Sequence, residues 1–278
     1  MNKKKSYLSQ TSASAKKQTA PRIGAIFIFL IVLFFYFVPK LASAAGMDTS
    51  RFTDYLYLYT ISSYTLIVLG VIIFQGKGLE VIQDHFSLWI IVLGCLLAAS
   101  QGGKQDTVYK VFLVLLALRL SIHILVNRKD INLPDIKSAF IGLLWSVVTI
   151  AIIVLFLYFL DPIRRSLPPD LSVYLLSAFV DQVSFVTVIE EACFRGLLFT
   201  LLVMNGYQED RALIIQAILF WGVHYMKIGA DPASFFIALP ILTLSTTLII
   251  KEYKLLYLSV MLHTLVNVFG PVLVAILQ

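Results

Sequence analysis

The chain has 278 residues, of which 59% are hydrophobic and 14% charged, with a mean hydropathy of +0.88. A soluble domain is typically about 45–50% apolar and about 25% charged, so a soluble globular domain, a disordered chain, a collagen-like repeat and a disulfide scaffold are all excluded. The net charge of +6 does not call for nucleic acid: six of the 22 basic residues (Lys3, Lys4, Lys5, Lys16, Lys17, Arg22) precede the first apolar run. A basic tail in that position sets membrane topology and meets anionic lipid.

In chain order, residues 1–22 read as a basic, disordered cytoplasmic tail. The first apolar run is Ile23 to Val38, followed by Leu41-Ala42-Ser43-Ala44-Ala45. That outline also fits a signal peptide, but the long polar stretch ahead of the run favours an uncleaved anchor. Further apolar runs follow at about 55–75, 86–100, 107–126, 138–160, 172–205, 211–228, 233–250 and 255–277. A perpendicular span needs about 20 residues. The 172–205 run is therefore too long for one simple span and is expected to be tilted, broken or re-entrant. Lipid offers no partner to an unpaired backbone group, so the expected fold is all-α: a polytopic bundle of eight or nine membrane helices. The basic residues favour a cytoplasmic N-terminus, and the expected location is the plasma membrane of a bacterium. Cys95 and Cys193 lie in apolar runs without a CxxC pattern, and no disulfide between them is expected.

Ionisable residues inside spans are the informative ones, since each costs about 2.5–3.5 kcal/mol at a helix centre on insertion scales. The densest group is Glu190-Glu191-Ala192-Cys193-Phe194-Arg195. Glu191 and Arg195 are i,i+4 with the acid first, the favourable order for an ion pair. Glu190 is rotated by about 100° from its neighbour. The reading is that Arg195 neutralises Glu191, while Glu190 faces a cavity as an unpaired carboxylate suited to a general base. Downstream, His224 sits in Phe220-Trp221-Gly222-Val223-His224, and His263 and Asn267 share a face at i,i+4. These groups suit two chemistries. Glu190 with His224 can deprotonate water while His263 and Asn267 stabilise an oxyanion. Alternatively, Glu190, His224 and His263 can hold zinc with one open position.

The motifs E-E-x-x-x-R, F-x-x-x-H and H-x-x-x-N, carried here by Glu190, Glu191 and Arg195, by Phe220 and His224, and by His263 and Asn267, resemble the CPBP family of intramembrane proteases. That family (CAAX protease, bacteriocin-processing and ABI proteins) includes the type II CAAX prenyl endopeptidases. The resemblance covers roughly residues 170–278, so 166–278 is expected to be the catalytic transmembrane domain and 23–165 a set of helices without a recognised motif. It implies an endopeptidase acting on a membrane-bound or lipidated peptide or protein within the bilayer. It further implies that Glu190 and His224 activate water, that His263 and Asn267 bind the oxyanion, and that Glu191, Arg195 and Phe220 give structural support. No cofactor is favoured, zinc being the alternative; few acidic partners are evident near the histidines, whereas metal-bound histidines usually have one.

Plainer roles compete. Intramembrane Glu/His pairs also relay protons in carriers, so a proton-coupled transporter is the alternative function. Arg119 and His123 read as snorkelling toward headgroups, His85 beside Asp84 as solvated, and Asp181, two turns ahead of Glu190, as a candidate for the chamber mouth.

Overall fold

The computed structural model describes residues 52–73, 84–101, 107–127, 136–160, 166–225 and 231–278. The tail 1–22, the expected first span Ile23–Val38 and the loop cations Lys77, Lys104, Arg128, Lys129, Arg164, Arg165 and Lys227 lie outside the described residues. The described chain is all-helical, without strands. It forms α1 (Phe52–Ile73), α2 (His85–Gln101), α3 (Thr107–Val126), α4 (Ile136–Leu160), α5 (Leu171–Met204), α6 (Glu209–Val223), α7 (Ser234–Tyr253) and α8 (Leu256–Leu277). Six of these, all but α2 and α6, are long and apolar enough to cross a membrane. The expected count was eight or nine. With 17 and 15 residues, α2 and α6 fall short of the roughly 20 that a perpendicular span requires.

The long run does not break. It is one helical rod of 34 residues in which two π segments, Gln182–Val186 and Ala192–Leu198, interrupt the α geometry on either side of Glu190 and Glu191. Asp170 starts it as an N-cap, its carboxylate accepting from the backbone N–H of Val173. The first π segment is braced from outside. The Tyr64 hydroxyl donates to the Ser184 carbonyl at 2.8 Å, and Gln101 Nε2 donates to Ser184 Oγ at 2.9 Å. Tyr64 reaches that carbonyl across Gly94 of α2, where any Cβ would collide with its hydroxyl. The glycine is therefore what lets α1, α2 and α5 meet at this point.

Two apolar clusters flank the rod. One joins α1, α2 and α3 to α5 and α6 and takes in parts of α7 and α8, and the other joins α4 to the rest of α7 and α8. The acidic first turn of α6 meets the basic end of α7, with Asp210 2.7 Å from Lys251 and Glu209 paired with Lys254. Opposite charges at those two helix ends also suit their dipoles. The candidate site lies between the clusters, where α5, α6 and α8 converge.

Candidate active site

Glu190, Glu191, Arg195, His224 and His263 are all buried, with Glu191 and Arg195 fully so. Burying a charge is costly unless it is paired and hydrogen-bonded, so each partner matters. Arg195 Nε lies 3.4 Å from Glu191 Oε2, its Nη2 donates to Thr246 Oγ1 at 2.8 Å, and its guanidinium stacks 3.6 Å above the centre of the Phe220 ring. The expected Glu191–Arg195 pair is present, and the phenylalanine four residues before His224 is what faces the cation. Glu191 has further partners that the spacing alone did not reveal. Its Oε1 is 2.7 Å from His263 Nδ1, and Ser259 Oγ donates to its Oε2. Ser259, His263 and Asn267 stand at i, i+4 and i+8, one stripe of α8 turned toward α5. That stripe was the available signal for Ser259.

The two histidine rings are both fixed at Nδ1. In α6 the last carbonyls lack helical donors, and His224 Nδ1 lies 2.7 Å from the Phe220 carbonyl. A carbonyl can only accept, so this Nδ1 carries the proton and Nε2 of the neutral ring keeps its lone pair. His263 Nδ1 donates to the Glu191 carboxylate in the same way. Both Nε2 atoms then face Glu190 Oε2, at 3.3 Å from His224 and 3.9 Å from His263. Glu190 is thus not the lone carboxylate expected from sequence: it sits against two imidazoles in a buried cluster.

A cavity of about 280 Å³ opens beside this cluster. His224, His263 and Asn267 line its polar side, with Gln182, and the apolar wall includes Leu157 of α4 and Leu242 of α7. Gln182 lines it and Asp181 does not, although Asp181 was the expected residue. In a regular helix of about 100° per residue, Gln182 would stand about 80° from Glu190 and Asp181 about 180°. The π segment between them adds about one residue to a turn, taking away about 100° and leaving Gln182 within about 20° of Glu190. Asn267 Nδ2 donates to Gln182 Oε1 at 2.8 Å. A second cavity, about 310 Å³, is lined by Pro168, Pro169 and Tyr174 and shares Pro271 with the first. None of the candidate catalytic side chains reaches it.

Away from the site, His123 is buried with Nδ1 3.4 Å from Asn127 Nδ2, so it does not snorkel, whereas Arg119 is exposed. Asp84 is buried and caps α2 through the N–H and hydroxyl of Ser87. Cys95 and Cys193 are free and buried.

The shortage of acidic partners for the histidines, inferred from sequence, does not hold: Glu191 orients His263, an arrangement that also serves metal-bound rings. Among the described residues, however, no group of three His, Cys, Asp or Glu side chains is disposed to hold a metal ion.

The fold and site define a multi-pass integral membrane protein with a buried Glu/His cluster between its helices. Residues 172–269 match the family model described as type II CAAX prenyl endopeptidase Rce1-like, which agrees with the CPBP resemblance of the three motifs. The match supports a CAAX-type intramembrane protease, a hydrolase, at family level. No curated protein and no solved structure matches the chain significantly.

Proposed function

We propose that the protein is an intramembrane endopeptidase that hydrolyses a peptide bond of a membrane-anchored or lipidated peptide with water activated by Glu190 and His224. The observation that carries this reading is the meeting of Glu190 Oε2 with the Nε2 atoms of His224 and His263, at the edge of a cavity that Asn267 also lines.

Charge balance assigns the roles. Glu190 and Glu191 bring two negative charges and Arg195 one positive charge, so a buried cluster is neutral with one further proton. Placed on His263 Nε2, that proton makes an imidazolium lying between the two carboxylates. Glu190 and the His224 lone pair then remain free to accept a proton from water. His263 Nε2–H and Asn267 Nδ2–H are donors for the oxyanion that forms as the hydroxide adds to the scissile carbonyl. The proton taken from water passes to the leaving amine as the tetrahedral intermediate collapses, which closes the balance without any other reactant. The apolar wall excludes water from the rest of the cavity and suits a substrate that arrives from lipid. The family's description names a prenyl endopeptidase, so a farnesylated CAAX peptide is the first substrate to try. The transporter alternative, which would use the same Glu190–His224 pair, is not favoured by the family match.

The test compares protein termini in membranes from cells expressing wild type or Glu190→Gln, each with and without a zinc chelator. New termini with wild type alone support the reading, and their loss on chelation would move the site to zinc. Identical termini in both, together with Glu190-dependent flux in proteoliposomes, would replace the peptidase by a carrier.

A further inference from the structure

We infer that Gln182 is a positioning residue that holds the Asn267 carboxamide in the orientation in which it faces the oxyanion, and that the first π segment of α5 exists to put it there. The inference rests on the peptidase reading and extends it to a residue outside the three motifs.

Three observations converge. Asn267 Nδ2 donates to Gln182 Oε1 at 2.8 Å, a bond between α8 and α5 that joins residues 85 positions apart in sequence. Both side chains line the same cavity as His224 and His263. The backbone is arranged for it: the Thr187 N–H reaches back five residues to the Gln182 carbonyl, and Thr187 Oγ1 donates to that same carbonyl at 2.9 Å. Without this π widening, Gln182 would point about 80° away from the face that carries Glu190.

The chemical need is specific. A carboxamide can rotate by a half-turn and exchange its oxygen for its nitrogen at almost no cost in shape. With the oxygen toward the cavity, Asn267 would repel an oxyanion instead of binding it. An acceptor on the other side selects the nitrogen-inward form: one N–H goes to Gln182 and the second is left for the substrate. Gln182 Oε1 is such an acceptor. Its role is exercised through Asn267, so its loss is expected to lower kcat and leave KM nearly unchanged.

The experiment uses the full chain in proteoliposomes and a quenched peptide spanning the cut site found by the terminus comparison. Rates are measured for wild type, Glu190→Gln, Gln182→Met, Gln182→Glu, Asn267→Ala and the Gln182→Met/Asn267→Ala double variant. Gln182→Met keeps the shape and removes the acceptor, and kcat is expected to fall by about 100-fold, the scale on which a misplaced catalytic group acts. Gln182→Glu keeps an acceptor oxygen and is expected to restore most of the rate. The double variant is expected to be no slower than Asn267→Ala alone, because a positioning residue has nothing to position once its partner is gone. Gln182→Ser reads the same loss should the methionine variant not fold. Wild-type kcat in folded Gln182→Met, equal loss in Gln182→Glu, or losses that multiply in the double variant would each overturn the inference. Cleavage indifferent to Glu190→Gln would refute the peptidase reading itself, a result separable from any of these.

Discussion

Arg195→Met keeps most of the side chain's length and removes its charge, and so isolates what the guanidinium contributes. Arg195 is fully buried, and three contacts end at its head: Glu191 at 3.4 Å, Thr246 Oγ1 at 2.8 Å and the Phe220 ring at 3.6 Å. In the variant, Glu191 keeps only His263 and Ser259 as partners. Removing one member of a buried ion pair costs about 3–5 kcal/mol, because the other charge stays behind. A desolvated cation–π contact adds about 2 kcal/mol, part of which methionine recovers by packing on the same ring. A net loss of about 4 kcal/mol is expected, a large share of a typical stability of about 5–15 kcal/mol. At about 1.4 kcal/mol per factor of ten, that raises the unfolded fraction roughly a thousandfold. The assay is equilibrium unfolding in mixed micelles, followed by the fluorescence of the buried aromatic residues. The companion Glu191→Gln/Arg195→Met variant removes both charges and is expected to recover about half of the loss. A single variant that costs less than about 1 kcal/mol, or a double variant no more stable than the single, would refute the argument that the pair neutralises itself.

Three further outcomes are expected, one at the Glu191 cluster and two elsewhere in α5 and α8. Ser259→Ala removes one donor from the buried Glu191 carboxylate and is expected to cost about 1–3 kcal/mol in the same unfolding assay while leaving the Glu191–His263 bond in place. Asp170, exposed at the start of α5, is held below the ordinary aspartate value by the Val173 N–H and the Ser172 hydroxyl. A depressed folded value means that the cap's contribution is complete above the unfolded value of about 3.9 and fades as pH falls through the folded one. Asp170→Ala is therefore expected to melt below wild type at pH 7 but not in strong acid, whereas Asp170→Ser, a cap that does not titrate, should show no such trend. Pro271→Ala returns a backbone N–H to the Asn267 carbonyl, and alanine is favoured over proline in a helix interior by about 3 kcal/mol. The variant is expected to melt higher and to cleave more slowly, since it tightens the turn that carries Asn267; a lower melting temperature would show that the proline is held by packing.

What was legible in the sequence were the features that a straight helix preserves. Spacing alone pairs Glu191 with Arg195 and puts His263 and Asn267 on one face, and both relations are present. Apolar runs gave most helices nearly to their ends, because the boundary between lipid-compatible and polar residues is sharp. Contacts between helices were not legible. Nothing in the spacing says that Phe220 will lie over Arg195 or that Ser259 will reach Glu191, since both depend on how α6 and α8 approach α5. The π segments were hidden for a different reason: no residue type demands them, and the first is braced by partners far away in sequence, Tyr64 and Gln101. Ignoring the first turns the face by about one residue, so that a regular helix would put Val183, not Gln182, on the face of Glu190, and Asp181 lies off that face with or without it.

The adjacent glutamates pose a geometric problem that the site resolves. Neighbouring residues on a helix point about 100° apart, so two successive carboxylates cannot converge on one small target. Here a single imidazole stands between them. His263 turns Nδ1 to Glu191 and Nε2 toward Glu190, using the divergence of its two ring nitrogens to meet the divergence of the two acids. Glu191 is anchored on its far side by Arg195, so its charge is balanced before His263 is considered; Glu190 has His224 as its second neighbour. The two acids therefore differ in what a change of proton does to them. A proton gained by Glu191 would break a neutral pair in a buried setting, whereas one gained by the Glu190–His224 side can move between an oxygen and a nitrogen 3.3 Å apart. That asymmetry, set by which neighbour carries the fixed charge, is what supports giving the first glutamate the work on water in the proposed peptidase, and the second the task of holding the His263 ring.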